Sequence, residues 1–191
     1  IELNPDHAEA RRLLARVRLR RGEITDAVQE LRLLVNRQPG NREARAELLN
    51  LYVARQQNSD AQRLLEDGME RFPADPTWPR MLADLMARTD RLDESVPLRA
   101  HVLELTGDPR SLAALVGAQL DLGRPREALA TMRERVELVS RSSGLQALRA
   151  RALAGTGREG EAVELFSRLI ERSGSIREMN LITSQAFASL G

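Results

Sequence analysis

Three arginines spaced four residues apart form the first pattern in this sequence that could do chemistry. Arg12, Arg16 and Arg20 would lie on one stripe of an α-helix, where like charges repel. In one interpretation, acidic residues of the same and the next helix neutralise the stripe in weak surface ion pairs; the candidates are Glu9, Glu43 and Glu47. In the other, the stripe receives carboxylates or other anions, for which the forked guanidinium group is well suited.

Other residues offer little support for catalysis or for a bound cofactor. His7 and His101 are the only histidines and lie far apart in the chain, and there is no cysteine. Gly155, Gly157 and Gly160 spell G-x-G-x-x-G, but this pattern cradles phosphate only between a strand and a helix. No strand is predicted before it. We therefore predict that the chain is not an enzyme and holds no cofactor and no metal ion.

Composition narrows the partner class. The 191 residues carry 29 basic side chains, all of them arginine, against 28 acidic ones, which leaves a net charge of +1. A dedicated nucleic-acid surface would show a marked basic excess, so no nucleic-acid partner is expected. No apolar run is long enough to cross a membrane. With only 3% aromatic residues, the core must consist mainly of Leu, Val and Ala, which favours helices.

A repeat of about 34 residues organises the whole chain. A small residue recurs at spacings of 34, 34, 33 and 34, at Ala27, Ala61, Ser95, Ala128 and Ala162. A glycine lies five residues before three of them, at Gly22, Gly123 and Gly157. Apolar residues within each unit follow a helical period, which predicts two amphipathic helices per unit. We expect antiparallel helix pairs that turn near positions 22, 56, 90, 123 and 157.

These units resemble the tetratricopeptide repeat, with its pattern of Leu, small residue and Tyr, followed by Ala, Phe and Pro. The first repeat matches this pattern with Leu14, Ala15, Ala27, Leu31 and Pro39, and the second repeat matches it with Leu48, Tyr52, Ala61, Leu65 and Pro73. The sequence departs from the pattern where the family has Trp, with Arg11, Arg45, Pro79, Leu112 and Gln146. Such departures are expected to weaken individual repeats.

The resemblance implies an all-α fold, a right-handed superhelical solenoid of antiparallel helix pairs. A single solenoid is expected over residues 1–191, with repeats at about 8–41, 42–75, 76–108, 109–142 and 143–176. Partial repeats are expected at both ends, as in a piece of a longer array, with 177–191 as a capping first helix. Uncapped ends could also self-associate. Pro97 and the single 33-residue spacing predict a slight change in superhelical angle between residues 95 and 145.

In this family the first helix of each repeat lines a concave groove, so the resemblance also implies a binding face. The groove candidates by phase are Arg12, Arg16, Arg20, Asn50, Arg80, Asp84, Arg88, Gly117, Asp121 and Arg151. Small residues, namely Ala113, Ala147 and Gly155, are expected to make the C-terminal half of the groove roomy. We expect a partner that is acidic toward repeats one to three and apolar toward the last two.

The function implied is that of a protein–protein interaction scaffold that binds a partner peptide or helix. Two more specific hypotheses stay open. One is a periplasmic segment of a bacterial envelope-assembly, exopolysaccharide-export or secretion machine. The other is the targeting arm of a larger enzyme, such as a glycosyltransferase, whose catalytic domain lies outside these residues.

Overall fold

The structure is a computed structural model that describes residues 8–172, and in that range it contains eleven helices and no strand. The expected all-α class is therefore confirmed. The helices are α1 Ala8–Arg20, α2 Ile24–Arg37, α3 Arg42–Ala54, α4 Asn58–Arg71, α5 Thr77–Arg88, α6 Leu92–Thr106, α7 Pro109–Asp121, α8 Pro125–Arg133, α9 Val136–Arg141, α10 Ser143–Gly155 and α11 Glu159–Arg172. They form two compact units, which we name unit 1, up to Pro73, and unit 2, from Ala74 onward.

Each unit is built from helix hairpins. Unit 1 contains the pairs α1–α2 and α3–α4, and unit 2 contains α5–α6, α7 with α8 and α9, and α10–α11. Every hairpin turns at one residue with a left-handed backbone, at Gly22, Gln56, Asp90, Gly123 and Gly157. These are the five predicted turn positions. The expected repeat limits and the single solenoid stay predictions.

The in-phase small residues lie in the first turn of each second helix, where the two helices of a hairpin meet. Ala27, Ala61, Ser95 and Ala128 are fully buried, and Ala162 is 3% exposed. A side chain that ends at Cβ or Oγ lets two helix backbones approach closely, and larger aliphatic side chains then fill the space on either side. The period found in the sequence is thus the period of the helix crossings.

Unit 1 has a fully buried arginine in its interior. Arg45 is fully buried, although it takes the position at which the family has Trp. Its guanidinium group donates hydrogen bonds to the main-chain oxygens of Leu64 (3.2 Å) and Pro39 (3.1 Å) and pairs with Asp67 at 2.5 Å. Arg45 therefore fills interior space with a polar side chain and joins α3 to α4 and to the end of the preceding hairpin.

Unit 2 contains the irregular part of the chain. Trp78 is buried in the first turn of α5, and Pro97 lies inside α6 beyond its first turn. The second helix of the next hairpin is interrupted at Glu134 and Arg135, which separate α8 from α9. The change in superhelical angle stays a prediction, but this interruption lies within the segment that the sequence singled out.

Some sequence-based expectations concern residues outside the described range. These are the partial repeat before residue 8, His7 and the capping helix at 177–191. Among the helices of residues 8–172, none combines the length and the apolar character that crossing a membrane requires.

Two helical glycines provide a matched test of packing. A Cβ at Gly155 would lie 3.0 Å from Pro125 Cβ and 3.2 Å from Cγ, whereas a Cβ at Gly117 would meet open space. We expect Gly155→Ala to lower the free energy of unfolding by about 1 kcal/mol because the proline ring cannot rotate away. Gly117→Ala should raise it by about 0.5–1 kcal/mol through helix propensity. Urea denaturation followed by circular dichroism measures both, and shifts of the same sign would contradict this packing.

The buried arginine provides a second test. Arg45→Ala leaves a cavity and deprives two main-chain oxygens of a donor, so we expect the free energy of unfolding to fall by about 2–3 kcal/mol. Arg11 takes the same repeat position in the first hairpin and pairs with Glu30 at 2.8 Å, but its side chain is 18% exposed. Arg11→Ala should therefore cost about 1 kcal/mol or less. If urea denaturation showed that both substitutions lower the free energy of unfolding by the same amount, burial at position 45 would have no special role.

Candidate partner-binding face

In unit 1, two arginines of the predicted stripe converge on one carboxylate. Arg12 Nη2 lies 2.8 Å and Arg16 Nη2 lies 2.7 Å from the same Oε1 atom of Glu47, on the next first helix, α3. Glu9 adds a contact of 3.5 Å to Arg12. The structure therefore favours the first interpretation for these two arginines, in which neighbouring acids neutralise them and link α1 to α3.

The ion pair sets the ionisation of Glu47. Partial burial by itself would raise the pKa of Glu47, but the hydrogen bonds from Arg12 and Arg16 outweigh it and hold the pKa below its usual value. The carboxylate therefore stays charged down to lower pH than an exposed glutamate. Because the pKa is lower in the folded state than in the unfolded state, ionisation of Glu47 stabilises the folded state.

The remaining candidates of unit 1 are available to a partner. Arg20 and Asn50 are both exposed. Within residues 8–172, no carboxylate lies within ion-pair distance of Arg20. The stripe thus divides into a paired part, Arg12 and Arg16, and one unpaired arginine at the end of α1.

Unit 2 contains a cavity of about 500 Å³ between α5, α6 and α7, which we name the arginine cavity. It is lined by Arg80, Ala83, Asp84, Arg99, Val102, Asp108, Arg110, Ser111 and Ala114. Its walls carry three guanidinium groups, and apolar surface comes from the half-buried Ala114 and, to a small extent, from Val102, which is 4% exposed. The predicted residues Arg80 and Asp84 thus lie together at one cavity.

The two carboxylates of the arginine cavity already have partners. Asp84 pairs with Arg99 at 3.3 Å. Asp108 is the N-cap of α7: its carboxylate accepts a hydrogen bond from the backbone N–H of Ser111 (2.8 Å), which lowers the pKa of Asp108. Arg80 and Arg110 are exposed, and neither has a carboxylate within 4 Å in the part of the chain that the structure describes. The cavity therefore has two arginines available to an incoming anion.

The other candidates of unit 2 are distributed along the first helices. Arg88 is exposed, and its Nε donates to the main-chain oxygen of Asp84 (3.2 Å). Asp121 and Arg151 meet in an ion pair of 2.9 Å that joins α7 to α10. Gly117 is half-buried, with open space where its Cβ would be.

One of the small residues expected in the groove is buried instead. Ala147 is 1% exposed and packs with Leu169 of α11, so its assignment to the groove was wrong. Gly155 is exposed, and its lack of a Cβ lets α10 approach Pro125 at the start of α8. The error at Ala147 arises because a helical phase gives a direction around the helix, while the neighbouring helix decides whether that direction is open.

Sequence reasoning missed two of the three cavity arginines. Arg99 takes the repeat position of Leu31 and Leu65, where the family pattern has an aromatic residue, but this departure was not used as a signal of a site, and Arg110 was not singled out. The departure itself was the available signal, since a charged side chain at a position that normally packs must find a partner or a surface. No comparable signal pointed to Arg110.

The described residues also bear on the alternative chemistries. Gly155 ends α10, Gly157 forms the hairpin turn and Gly160 lies in α11, so the G-x-G-x-x-G pattern spans a helix–turn–helix. Between residues 8 and 172, no group of three or more His, Cys, Asp or Glu side chains is placed to hold a metal ion.

The Glu47 pair predicts a pH-dependent contribution to stability. At neutral pH, Glu47→Gln should lower the free energy of unfolding by about 1 kcal/mol. Because the folded-state pKa of Glu47 is below its unfolded value, this stabilisation is present above the unfolded value and is lost as the pH falls through the folded one. The stability difference between the two proteins should therefore shrink once the pH falls below about 4.3, the usual pKa of glutamate, and disappear below the folded-state pKa of Glu47. Glu43→Gln is the control, because Glu43 is exposed. If the stability difference between the wild type and Glu47→Gln stayed constant across the pH range, the ionised Glu47 pair would not be its source.

Comparisons with known proteins agree with this geometry. Two family models described as tetratricopeptide repeat match the chain, one over residues 1–49 and the other over residues 114–175. No curated protein matches it.

Several solved structures share the fold at low sequence identity. The MamA protein is 14% identical over 86% of this chain and 90% of its own, with a TM-score of 0.65. YrrB, described as a TPR protein with an unusual peptide-binding site, is 14% identical over 95% of this chain and 94% of its own, with a TM-score of 0.66. A putative kinesin light chain with TPR-like repeats from Podosopora anserina is 21% identical over 92% of this chain and 100% of its own, with a TM-score of 0.60. With its in-phase turns and buried small residues, the chain belongs to the tetratricopeptide repeat family.

Proposed function

We propose that this chain is a protein-interaction module that binds an acidic segment of a partner protein on its first helices. The observation that carries the proposal is the arginine cavity. Arg80 and Arg110 line it, are exposed and have no carboxylate within 4 Å among the described residues. A guanidinium group binds a carboxylate through two parallel hydrogen bonds, so this pair suits Asp, Glu or a chain terminus.

The shape of the cavity supports a peptide rather than a free anion. Its volume of about 500 Å³ is in the range of pockets that hold several linked groups. Apolar surface from Ala114 and, to a small extent, from Val102 lies beside the guanidinium groups, so a segment that mixes carboxylates with aliphatic side chains would satisfy both.

The structural neighbours support the same class of function. Tetratricopeptide repeat proteins are in general scaffolds without catalytic activity, and YrrB is described as having a peptide-binding site. An acidic partner toward the first three repeats, an apolar one toward the last two and self-association through the ends remain parts of the proposal. Two more specific hypotheses are a segment of an envelope-assembly or export machine and the targeting arm of a larger enzyme. Both would use the same binding face, so the test below applies to either.

The test is selection from a library of random dodecapeptides displayed on phage. We expect the wild-type chain to enrich peptides rich in Asp and Glu. The Arg80→Gln/Arg110→Gln double variant should bind the enriched peptides at least about tenfold more weakly, because charge-assisted hydrogen bonds contribute roughly 1.5–3 kcal/mol each. Binding of the wild type should weaken as salt is added.

The control is a double variant with the same change in charge outside the cavity. Arg126 and Arg141 are exposed residues of α8 and α9, and Arg126→Gln/Arg141→Gln should leave affinity within about twofold. Enrichment of basic or uncharged peptides, or equal losses in the two double variants, would sink the proposal.

A further inference from the structure

A second concave site lies where the second helix of one hairpin is interrupted. The second helices of unit 1, α2 and α4, each run for 14 residues, whereas α8 ends after 9. Arg135 leaves the helical conformation, with φ −127° and ψ 40°, before α9 begins at Val136. A cleft of about 230 Å³ lies between α8, α9 and α10 at this break, and we name it the α9 cleft.

Apolar side chains form most of the α9 cleft. Leu129, Met132, Val136, Val139 and Leu153 line it, and three of them, Met132, Val139 and Leu153, are each 3% exposed. Val136 is different, because it lies in the lining with 60% of its surface exposed. An apolar cavity of about 150 Å³ is enough to bind benzene in another protein. The cleft is therefore large enough for one Leu, Met or Phe side chain, and too small for a long acyl chain.

The charged side chains that line the α9 cleft are all arginines. Arg133, Arg149 and Arg158 line it, and no carboxylate does. Arg158 is held by Glu161, with two hydrogen bonds of 2.7 Å. Neither Arg133 nor Arg149 has a carboxylate within 4 Å in the described range 8–172, although the charge of Glu161 acts on Arg149 at a longer distance. A group that enters the cleft thus meets an apolar floor and a positive rim.

We propose that the α9 cleft binds one large apolar side chain from an acidic segment of a partner protein. The apolar floor selects the inserted side chain, and the arginines select carboxylates on the residues beside it. The site shares no residue with the arginine cavity, which is built by α5, α6 and α7. It therefore goes beyond the proposed function and gives unit 2 a second contact for a partner.

The probe is the blocked peptide acetyl-Glu-Glu-Leu-Glu-Glu-amide, with a matched peptide that has Ala at the centre. Both are titrated to millimolar concentration into protein labelled at its methyl groups, in the Arg80→Gln/Arg110→Gln background, so that binding at the arginine cavity does not contribute. We expect saturable methyl shifts at Met132, Val136 and Val139. The Leu peptide should bind at least about fivefold more tightly than the Ala peptide, because more apolar surface is buried.

Two valines supply matched variants. Val136 is 60% exposed in the α9 cleft, and Val163 is 64% exposed on α11 outside it, so neither substitution should unfold the chain. Val136→Glu should abolish the methyl shifts at Met132 and Val139, and Val163→Glu should leave them unchanged. Arg149→Gln should weaken binding of the Leu peptide by about two- to threefold.

Several outcomes would overturn the proposal. No saturable shift at the cleft would mean that it is a packing defect only. Equal affinity for the Leu and Ala peptides would mean that only charge is recognised. A concentration-dependent dimer in analytical ultracentrifugation that Val136→Glu dissolves would make a second copy of this chain the occupant. Each result can be read whether or not the arginine cavity binds its own peptides.

Discussion

The close approach of two helices at a small side chain, once in every hairpin, is the contact on which the rest of this structure depends. Four of the five residues at this position are fully buried, and the fifth nearly so. A larger side chain there would separate the helices and leave the surrounding aliphatic groups without partners. Other family positions vary widely because they lack this constraint. The Trp position, for example, is filled by Arg45 in one hairpin and by Leu112 in another, and both are buried.

Arginine is the only residue type that gives this chain positive side chains at neutral pH, and the partners of each arginine decide what it does. Where the neighbouring helix provides a carboxylate, the arginine links helices, as Arg12 and Arg16 do through Glu47 and Arg151 does through Asp121. Where it does not, the guanidinium group stays available at the surface. The near balance of charge over the whole chain therefore coexists with local positive surfaces, because pairing depends on distance and not on totals.

The two concave sites of unit 2 differ in their chemistry for a structural reason. The arginine cavity lies between uninterrupted helices, and its lining is mostly polar side chains with small apolar ones between them. The α9 cleft lies at a helix break, where side chains that would pack beneath a continuous helix, such as Leu129 and Val136, become part of a concave surface. At an interrupted helix, apolar side chains of the core type thus become accessible at the surface, whereas uninterrupted helices expose the polar side chains of their outer faces.

The sequence by itself determined the helical class, the hairpin period and the five turn positions, because each depends on residue type at a fixed spacing. Even Gln56 and Asp90, which are not glycines, take the left-handed turn conformation that the period requires. Only the tertiary structure decided which side chains are open to a partner. Ala147 and Arg80 are both placed toward the groove by phase, yet one is buried against Leu169 and the other lines a cavity. Exposure depends on what the neighbouring helix places opposite, and no spacing within one helix contains that information.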